Sequence, residues 1–141
     1  KKHKNALVIG ADTIVVKNKK IFEKPKNKKE ALKMLEVLSN SKHAVYTSFS
    51  IQHNKKEINE TYIEKTLVEF KALNTDLIHY YIYNFNSSDK SGGYGIQEWS
   101  LIFIKKINGC YNNVVGLPLS MLYEKLIAIN PNFKPLNQNT N

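Results

Sequence analysis

The residue best suited to chemistry is Asp12, which stands between two apolar runs, residues 6–11 and 14–16. A continuous apolar run of this kind is typical of a buried strand, and we expect Asp12 and Thr13 to lie where that strand ends. A carboxylate held on a rigid strand can orient and deprotonate a water molecule, or bind a divalent metal. The alternative is that Asp12 only forms a turn, a position that aspartate favours.

A glycine-rich loop and two lysines supply the groups that bind an anion. Residues 89–97 read DKSGGYGIQ and include Lys90, while Lys24 precedes Pro25. Backbone N–H groups of glycines can approach an anion closely, and lysines add positive charge. The loop has neither the GxxxxGK[ST] nor the GxGxxG spacing, so a flexible turn is the alternative interpretation. The carboxylate, the lysines and the loop together predict phosphate chemistry with a divalent metal.

Other catalytic arrangements are not supported by the sequence. The four histidines are too scattered to form a recognisable metal set, and there is no GxSxG segment. Cys110 is the single cysteine and has no histidine near it in sequence to activate it. We therefore interpret the histidines and Cys110 as structural.

Length and composition indicate one folded domain, and a single cysteine, which allows no disulfide framework, is typical of a reducing compartment. The chain has 141 residues, of which 42% are hydrophobic and 23% charged, as in ordinary globular proteins. No apolar run approaches the roughly 20 residues of a membrane helix. The net charge of +9 favours anionic partners, but the sequence contains no arginine, the residue that most often reads guanine in DNA. A basic nucleic-acid-binding domain is therefore the weakest of three functional hypotheses.

Hydrophobic periodicity predicts alternating strands and helices. Residues 6–22 are typical of a β-hairpin, and residues 43–53 and 58–70 of two further strands. Helices are expected after Asn27 and after Asn74 or Thr75, and Pro118 begins the last helix. Residues 101–107 are predicted to form a strand. This order favours an α/β domain with a twisted mixed sheet flanked by helices.

Several segments in one order closely resemble the Maf family. They are GADTIVV, EKP, LSNSKHAVYT, KTLVEF, DKSGGYGIQ and YNNVVGLPLSMLYEKL, and the likeness extends over residues 6–129. The resemblance implies the Maf/ITPase-like fold and a nucleoside triphosphate pyrophosphatase. Its substrates would be dTTP and UTP, which are cut to the monophosphate and pyrophosphate by water attack at the α-phosphorus.

The resemblance also implies roles for individual residues. Asp12 would be the catalytic proton acceptor and also a metal ligand. Lys24 and Lys90 match the lysines of the family's KP and DKAG segments and would bind phosphate. Thr13 and Gln97 fall at positions associated with the choice of base, and this pair is similar to the dTTP/UTP branch.

Further expectations follow from the same resemblance. The cofactor would be a divalent cation, Mg²⁺ or Mn²⁺, and the location the cytoplasm. The partners would be the nucleoside triphosphate and a second copy in a homodimer, with no specific nucleic acid and no membrane. The second hypothesis is a catalytically inactive or truncated relative that acts by binding in cell-division control.

The sequence departs from the family pattern at its start and around the loop. The N-terminal strand and helix and the SxSPRR segment are missing, so we expect an N-terminally incomplete domain over residues 1–130. Residues 131–141 are expected to be a loose, Asn-rich tail. Ser91 replaces the usual alanine, Glu98-Trp99 follows Gln97 where glycine is common, and Cys110 replaces a usual serine.

Overall fold

Five antiparallel strands form one sheet in the computed structural model, which describes residues 5–133. The strands are β1 (Val8–Lys17), β2 (Lys20–Phe22), β3 (Lys42–His53), β4 (Ile58–Phe70) and β5 (Ile104–Asn108). Their order in the sheet is β2-β1-β3-β4-β5. The α/β class is confirmed, but all the described pairs are antiparallel where the sequence analysis expects a mixed sheet. β2 and β3 both run antiparallel to β1 and are therefore parallel to each other. The segment between them must carry the chain back to the end of the sheet at which β2 began.

Four α-helices accompany the sheet in the part of the chain that the structure describes. They are α1 (Lys28–Leu38), α2 (Thr75–Asn84), α3 (Tyr111–Val115) and α4 (Leu119–Ile129). The side chain of Asn27 accepts a hydrogen bond from Glu30 N at 2.9 Å, and that of Asn74 accepts one from Leu77 N at 2.7 Å. These are the N-caps that begin α1 and α2; the sequence predicts Asn27 for the first and leaves Asn74 or Thr75 open for the second. Within residues 5–133, no helix is long and apolar enough to cross a membrane.

The core lies on one face of the sheet and has two parts. Val45 and Val68 pack with α1 and α2 in the first part, and Phe49 packs with Leu122 and Leu126 of α4 in the second. Side chains two residues apart on a strand share a face, so Val45 and Phe49 of β3 point the same way. α3 lies between the two parts and is held by polar contacts described below.

The first strand differs from its prediction in two ways. It continues without a break from Val8 to Lys17, so Asp12 lies within a strand and not at its end. Residues 8–12 are exposed, not buried, and they lie outside the part of β1 that pairs with β2, which is residues 15–17. β3 supports the whole segment from the other side and pairs Asp12 with Ser48. Asp12 is therefore rigidly held and also accessible.

Two further predictions are corrected near the C-terminal end. The strand begins only at Ile104, because Trp99–Phe103 is a 3-10 helix whose Trp99 and Phe103 rings pack against Tyr81. The short helix α3 was not expected from the sequence. The proposed tail at 131–141 lies largely outside the described residues, although Phe133 packs against the α4 part of the core.

Candidate active site

One pocket of about 290 Å³ is lined by every residue that the sequence analysis names as a site residue. These residues are Asp12, Thr13, Lys24, Lys90 and Gln97. They come from β1, from the segment after β2, and from the loop between α2 and β5. The fold thus brings together residues that are up to 85 positions apart, counted from Asp12 to Gln97.

Asp12 lies at the border between this pocket and a second concavity. The second concavity is lined by Val8, Gly10, Ser48 and Ser50 as well as by Asp12. Asp12 is exposed, and none of the ion pairs among residues 5–133 involves it. Its carboxylate is therefore available to a ligand, to a metal or to water.

Hydrogen bonds attach the glycine-rich loop to β1 and to the segment after β2. Gly92 N donates to Glu23 O at 3.1 Å, and Ser91 Oγ donates to Thr13 O at 2.7 Å. Gly92 has a φ of 73°, and a Cβ at this position would lie 3.1 Å from a methyl carbon of Val15. Only glycine adopts this positive φ and fits beside Val15 without strain. The loop is therefore a fixed wall of the pocket.

Lys90 is saturated by acceptors in this structure. Its Nζ lies 2.7 Å from Asp89 Oδ1, 2.7 Å from Glu98 Oε1 and 3.2 Å from Asn86 O. Burial works against the charge, but the hydrogen bonds to Asp89 and Glu98 outweigh it and raise the pKa of Lys90. An ammonium has three protons to donate, so Lys90 must exchange one of these partners before it can bind a phosphate.

The neighbours of Lys90 explain its position. A Cβ on Gly95 would lie 2.5 Å from Lys90 Cε, so the lysine stem passes directly over this glycine. Glu98 Oε2 is buried without a hydrogen-bond partner in the described structure. The hydrogen bond from Lys90 lowers the pKa of Asp89, and the charges of Lys90 and Lys24 add to this effect. The pocket mouth therefore combines two lysines with two carboxylates.

A buried hydrogen-bond network lies behind Thr13. Thr13 Oγ1 is 2.8 Å from Thr47 Oγ1, and Thr47 Oγ1 is 2.9 Å from Asn113 O. The Asn113 amide nitrogen donates to Val45 O at 3.1 Å and to Thr66 Oγ1 at 2.9 Å. Thr47, Thr66 and Asn113 are all fully buried. Because buried polar groups are costly without partners, this network fixes α3 on the sheet beneath the pocket.

A second buried polar pair, His43 and Tyr94, supports another part of the pocket wall. His43 Nε2 lies 2.7 Å from the hydroxyl of Tyr94, which lines the pocket. Burial, together with the charge of Lys17, lowers the pKa of His43 from 6.5 to about 4. Burial also raises the pKa of Tyr94 far above its usual value. Both side chains are therefore neutral near pH 7.

The donor set fits a metal that is shared with a substrate. Among residues 5–133, no group of three or more His, Cys, Asp or Glu side chains could hold a metal by itself. Asp89 and Glu98 are each paired with Lys90, whereas Asp12 belongs to none of the described ion pairs. Mg²⁺ is commonly bound by one or two carboxylates and by substrate phosphates. Asp12 suits that kind of site.

Comparison with known proteins supports the resemblance seen in the sequence. The family described as Maf-like protein matches residues 1–129, which is most of the chain. The chain belongs to the Maf family. The resemblance on which the sequence analysis relies is therefore confirmed.

Individual relatives of this Maf-family chain carry a common name. A protein of Thermosipho melanesiensis named dTTP/UTP pyrophosphatase is 48% identical over 120 residues, which cover 85% of this chain and 65% of the relative. Proteins of the same name from Cytophaga hutchinsonii and Pyrococcus abyssi are 45% and 43% identical over 95% and 93% of this chain. These alignments cover 61% and 67% of the two relatives. This Maf-family chain thus spans about two thirds of the length of the relatives that it matches.

Two residues that shape the site of this Maf-family chain are not predicted from the sequence, namely Thr47 behind the pocket and Glu98 in its wall. The signal for Thr47 is its place between Val45 and Phe49 on the inward face of β3, since a polar side chain there needs a partner. In the sequence Glu98 stands out only as a bulky departure from the family pattern, and its pairing with Lys90 cannot be seen from their spacing of eight residues.

Proposed function

We propose that this Maf-family chain carries the active site of a nucleoside triphosphate pyrophosphatase that acts on dTTP and UTP. The observation that carries the proposal is that Asp12, Thr13, Lys24, Lys90 and Gln97 line one pocket. The names of the relatives support the choice of reaction and of substrates. We further propose a cytoplasmic location and a homodimer, as the family resemblance implies.

The proposed reaction uses Asp12 as the proton acceptor. Water attacks the α-phosphorus, its proton passes to the Asp12 carboxylate, and pyrophosphate leaves with the electron pair of the broken P–O bond. Asp12 is accessible and held on a paired strand, which is what a positioned base requires. A divalent cation, Mg²⁺ or Mn²⁺, held by Asp12 and the substrate phosphates would neutralise negative charge when bound.

The lysines are proposed to bind the phosphates at the pocket mouth. Lys24 is exposed and takes part in no ion pair among residues 5–133. Lys90 must first leave Glu98 or Asp89, so phosphate binding replaces one anion by another. We expect Lys24→Ala to raise KM for the triphosphate more strongly than it lowers kcat, because an exposed lysine contributes charge with little loss of packing.

The proposed base site lies around Thr13 and Gln97. Both residues line the pocket and can make hydrogen bonds to the polar edge of a pyrimidine. A site that matches hydrogen-bond donors and acceptors can reject a mismatched base strongly. We therefore propose that these two residues favour thymine and uracil over cytosine.

The test is release of pyrophosphate from dTTP, UTP, CTP and GTP with Mg²⁺ or Mn²⁺. We expect release from dTTP and UTP, and a loss of about 100-fold or more in Asp12→Asn, the usual range for removal of a general base. Ser48→Ala is the matched control, because Ser48 pairs with Asp12 in the sheet and does not line the pocket. Equal rates for Asp12→Asn and the unchanged protein would rule out the proposed role of Asp12.

A further inference from the structure

Counting protons shows which hydroxyl group donates in each hydrogen bond of the network behind Thr13. Thr47 is fully buried and makes two contacts through its hydroxyl oxygen. One is to Thr13 Oγ1 at 2.8 Å, and the other is to the backbone oxygen of Asn113 at 2.9 Å. Two oxygens at such distances repel one another unless a proton lies between them.

The backbone oxygen of Asn113 can only accept, so the proton in that contact must belong to Thr47. A threonine hydroxyl has one proton. The contact between Thr47 and Thr13 must therefore contain the proton of Thr13. This is the one arrangement in which both short contacts hold a proton.

Thr13 consequently presents an acceptor to the pocket. Its single proton points back toward Thr47, and none of the described hydrogen bonds among residues 5–133 brings a second donor to its lone pairs. Its other close oxygen, Gly116 O, can only accept that same proton, and at 3.4 Å it is a much weaker acceptor than Thr47 Oγ1 at 2.8 Å. A ligand group that lies against Thr13 Oγ1 in the pocket is therefore expected to be a donor, N–H or O–H.

We propose that Thr47 is a positioning residue that fixes Thr13 as an acceptor and thereby selects pyrimidines that carry a proton on N3. This proposal rests on the proposed function, in which the base lies at Thr13. Uracil and thymine have an N3–H donor, which matches a Thr13 acceptor. Cytosine has a lone pair on N3, and two acceptors facing each other lose a hydrogen bond and retain the cost of desolvation.

The role of Thr47 depends on its hydroxyl and not on its shape. Thr47→Val keeps the branched side chain in the strand and removes the hydroxyl. The proton of Thr13 then loses its acceptor at 2.8 Å and keeps only the long contact to Gly116 O at 3.4 Å, so it can turn toward the pocket, where it would suit the N3 lone pair of cytosine. Thr47→Ser keeps the hydroxyl and is the matched control.

The experiment measures binding of the α,β-imido analogues of UTP and CTP by calorimetry to the unchanged protein, Thr47→Val and Thr47→Ser. We expect the unchanged protein and Thr47→Ser to prefer the UTP analogue. In Thr47→Val the ratio of the two dissociation constants should move toward one by about tenfold, which is the effect of one hydrogen bond. A general loss of stability would weaken both analogues alike and leave this ratio unchanged.

Two outcomes would overturn the inference. One is an unchanged UTP-to-CTP ratio in Thr47→Val, and the other is an equal change of the ratio in Thr47→Ser. Pyrophosphate release from the natural triphosphates, measured in parallel, keeps this inference separate from the proposed function. Selective binding that depends on Thr47, without turnover, would refute the pyrophosphatase proposal and support the role of Thr47. Turnover together with an unaltered UTP-to-CTP ratio in Thr47→Val would support the pyrophosphatase proposal and refute the role of Thr47.

Discussion

Acidification should destabilise this fold through His43, which is 2% exposed. Its Nε2 lies 2.7 Å from the Tyr94 hydroxyl, and its ring packs edge-on to Phe70 with centroids 4.9 Å apart. Burial, and secondarily the charge of Lys17, lowers the pKa of His43 from 6.5 to about 4. Between these two pH values the unfolded chain binds a proton at this residue and the folded chain does not.

The size of the effect follows from the two pKa values of His43. Since the pKa of His43 is lower in the folded state, its contribution to the free energy of unfolding is fully present above pH 6.5. This contribution is lost as the pH falls toward 4. A difference of roughly 2.5 units corresponds to about 3 kcal/mol of unfolding free energy, at about 1.4 kcal/mol per unit. This is a large share of the roughly 5–15 kcal/mol that stabilises a typical domain.

Urea unfolding at several pH values between 7.5 and 4 tests this prediction. The unfolding free energy should fall toward acid pH with a slope approaching about 1.4 kcal/mol per pH unit, and His43→Gln should reduce that slope by about one proton. His79→Gln is the control, because His79 stacks on Tyr83 at the surface and lies outside the core. The reasoning is refuted if His43→Gln and the unchanged protein show the same slope between pH 6.5 and 4.

Three further predictions concern positions around the pocket. Gly95→Ala should displace Lys90, because the added Cβ would lie only 2.5 Å from Lys90 Cε. It should reduce kcat/KM in steady-state assays and change thermal stability little, since the lysine stem is flexible. Gly92→Ala should lower the free energy of unfolding in urea by about 1–3 kcal/mol, because φ at this position is 73°. Gly10→Ala is the control and should lower it by less than about 1 kcal/mol, because nothing lies within 4 Å of the added Cβ. Asn113→Ala should cost about 2–4 kcal/mol in the same assay, because it removes two buried hydrogen bonds and leaves their acceptors without that donor; a loss below about 0.5 kcal/mol would contradict the structural role of the network.

Much of the fold could be predicted because local signals agree with the tertiary structure. The bounds of β4 at Ile58 and Phe70 match the sequence prediction, since alternating and β-branched residues mark a strand with one wet face. The starts of α1 and α2 could be predicted from Asn27 and from Asn74 or Thr75, and the structure shows that the side chains of Asn27 and Asn74 cap the first turns. Capping is a local interaction, so it can be recognised without knowing the fold.

The errors arise where tertiary contacts override local pattern. Residues 101–103 are apolar, as in the predicted strand over 101–107, but Trp99 and Phe103 pack on the aromatic side chains of α2 and the backbone of residues 99–103 forms a 3-10 helix. α3 has only five residues, too few for a helical periodicity, and Asn113 attaches it through polar contacts to β3 and β4. Such contacts join residues more than 40 positions apart and leave no trace in sequence spacing.

The candidate site shows the same division. Asp12, Lys24 and the loop around Lys90 could be chosen from the sequence, because their residue types and flanking glycine or proline indicate chemistry on an anion. Their assembly into one pocket, and the buried hydroxyl of Thr47 behind it, depend on the register of β1 with β3. Register becomes visible only when the strands are paired.

The central claim is that this pocket directs water to the α-phosphorus of a pyrimidine nucleoside triphosphate. The most direct measurement is hydrolysis of dTTP in oxygen-18 water, with the position of the label read by phosphorus NMR or mass spectrometry of the two products. The account predicts one labelled oxygen in the thymidine monophosphate, none in the pyrophosphate, and almost no turnover by Asp12→Asn. Label in the pyrophosphate, or in free phosphate, would contradict it.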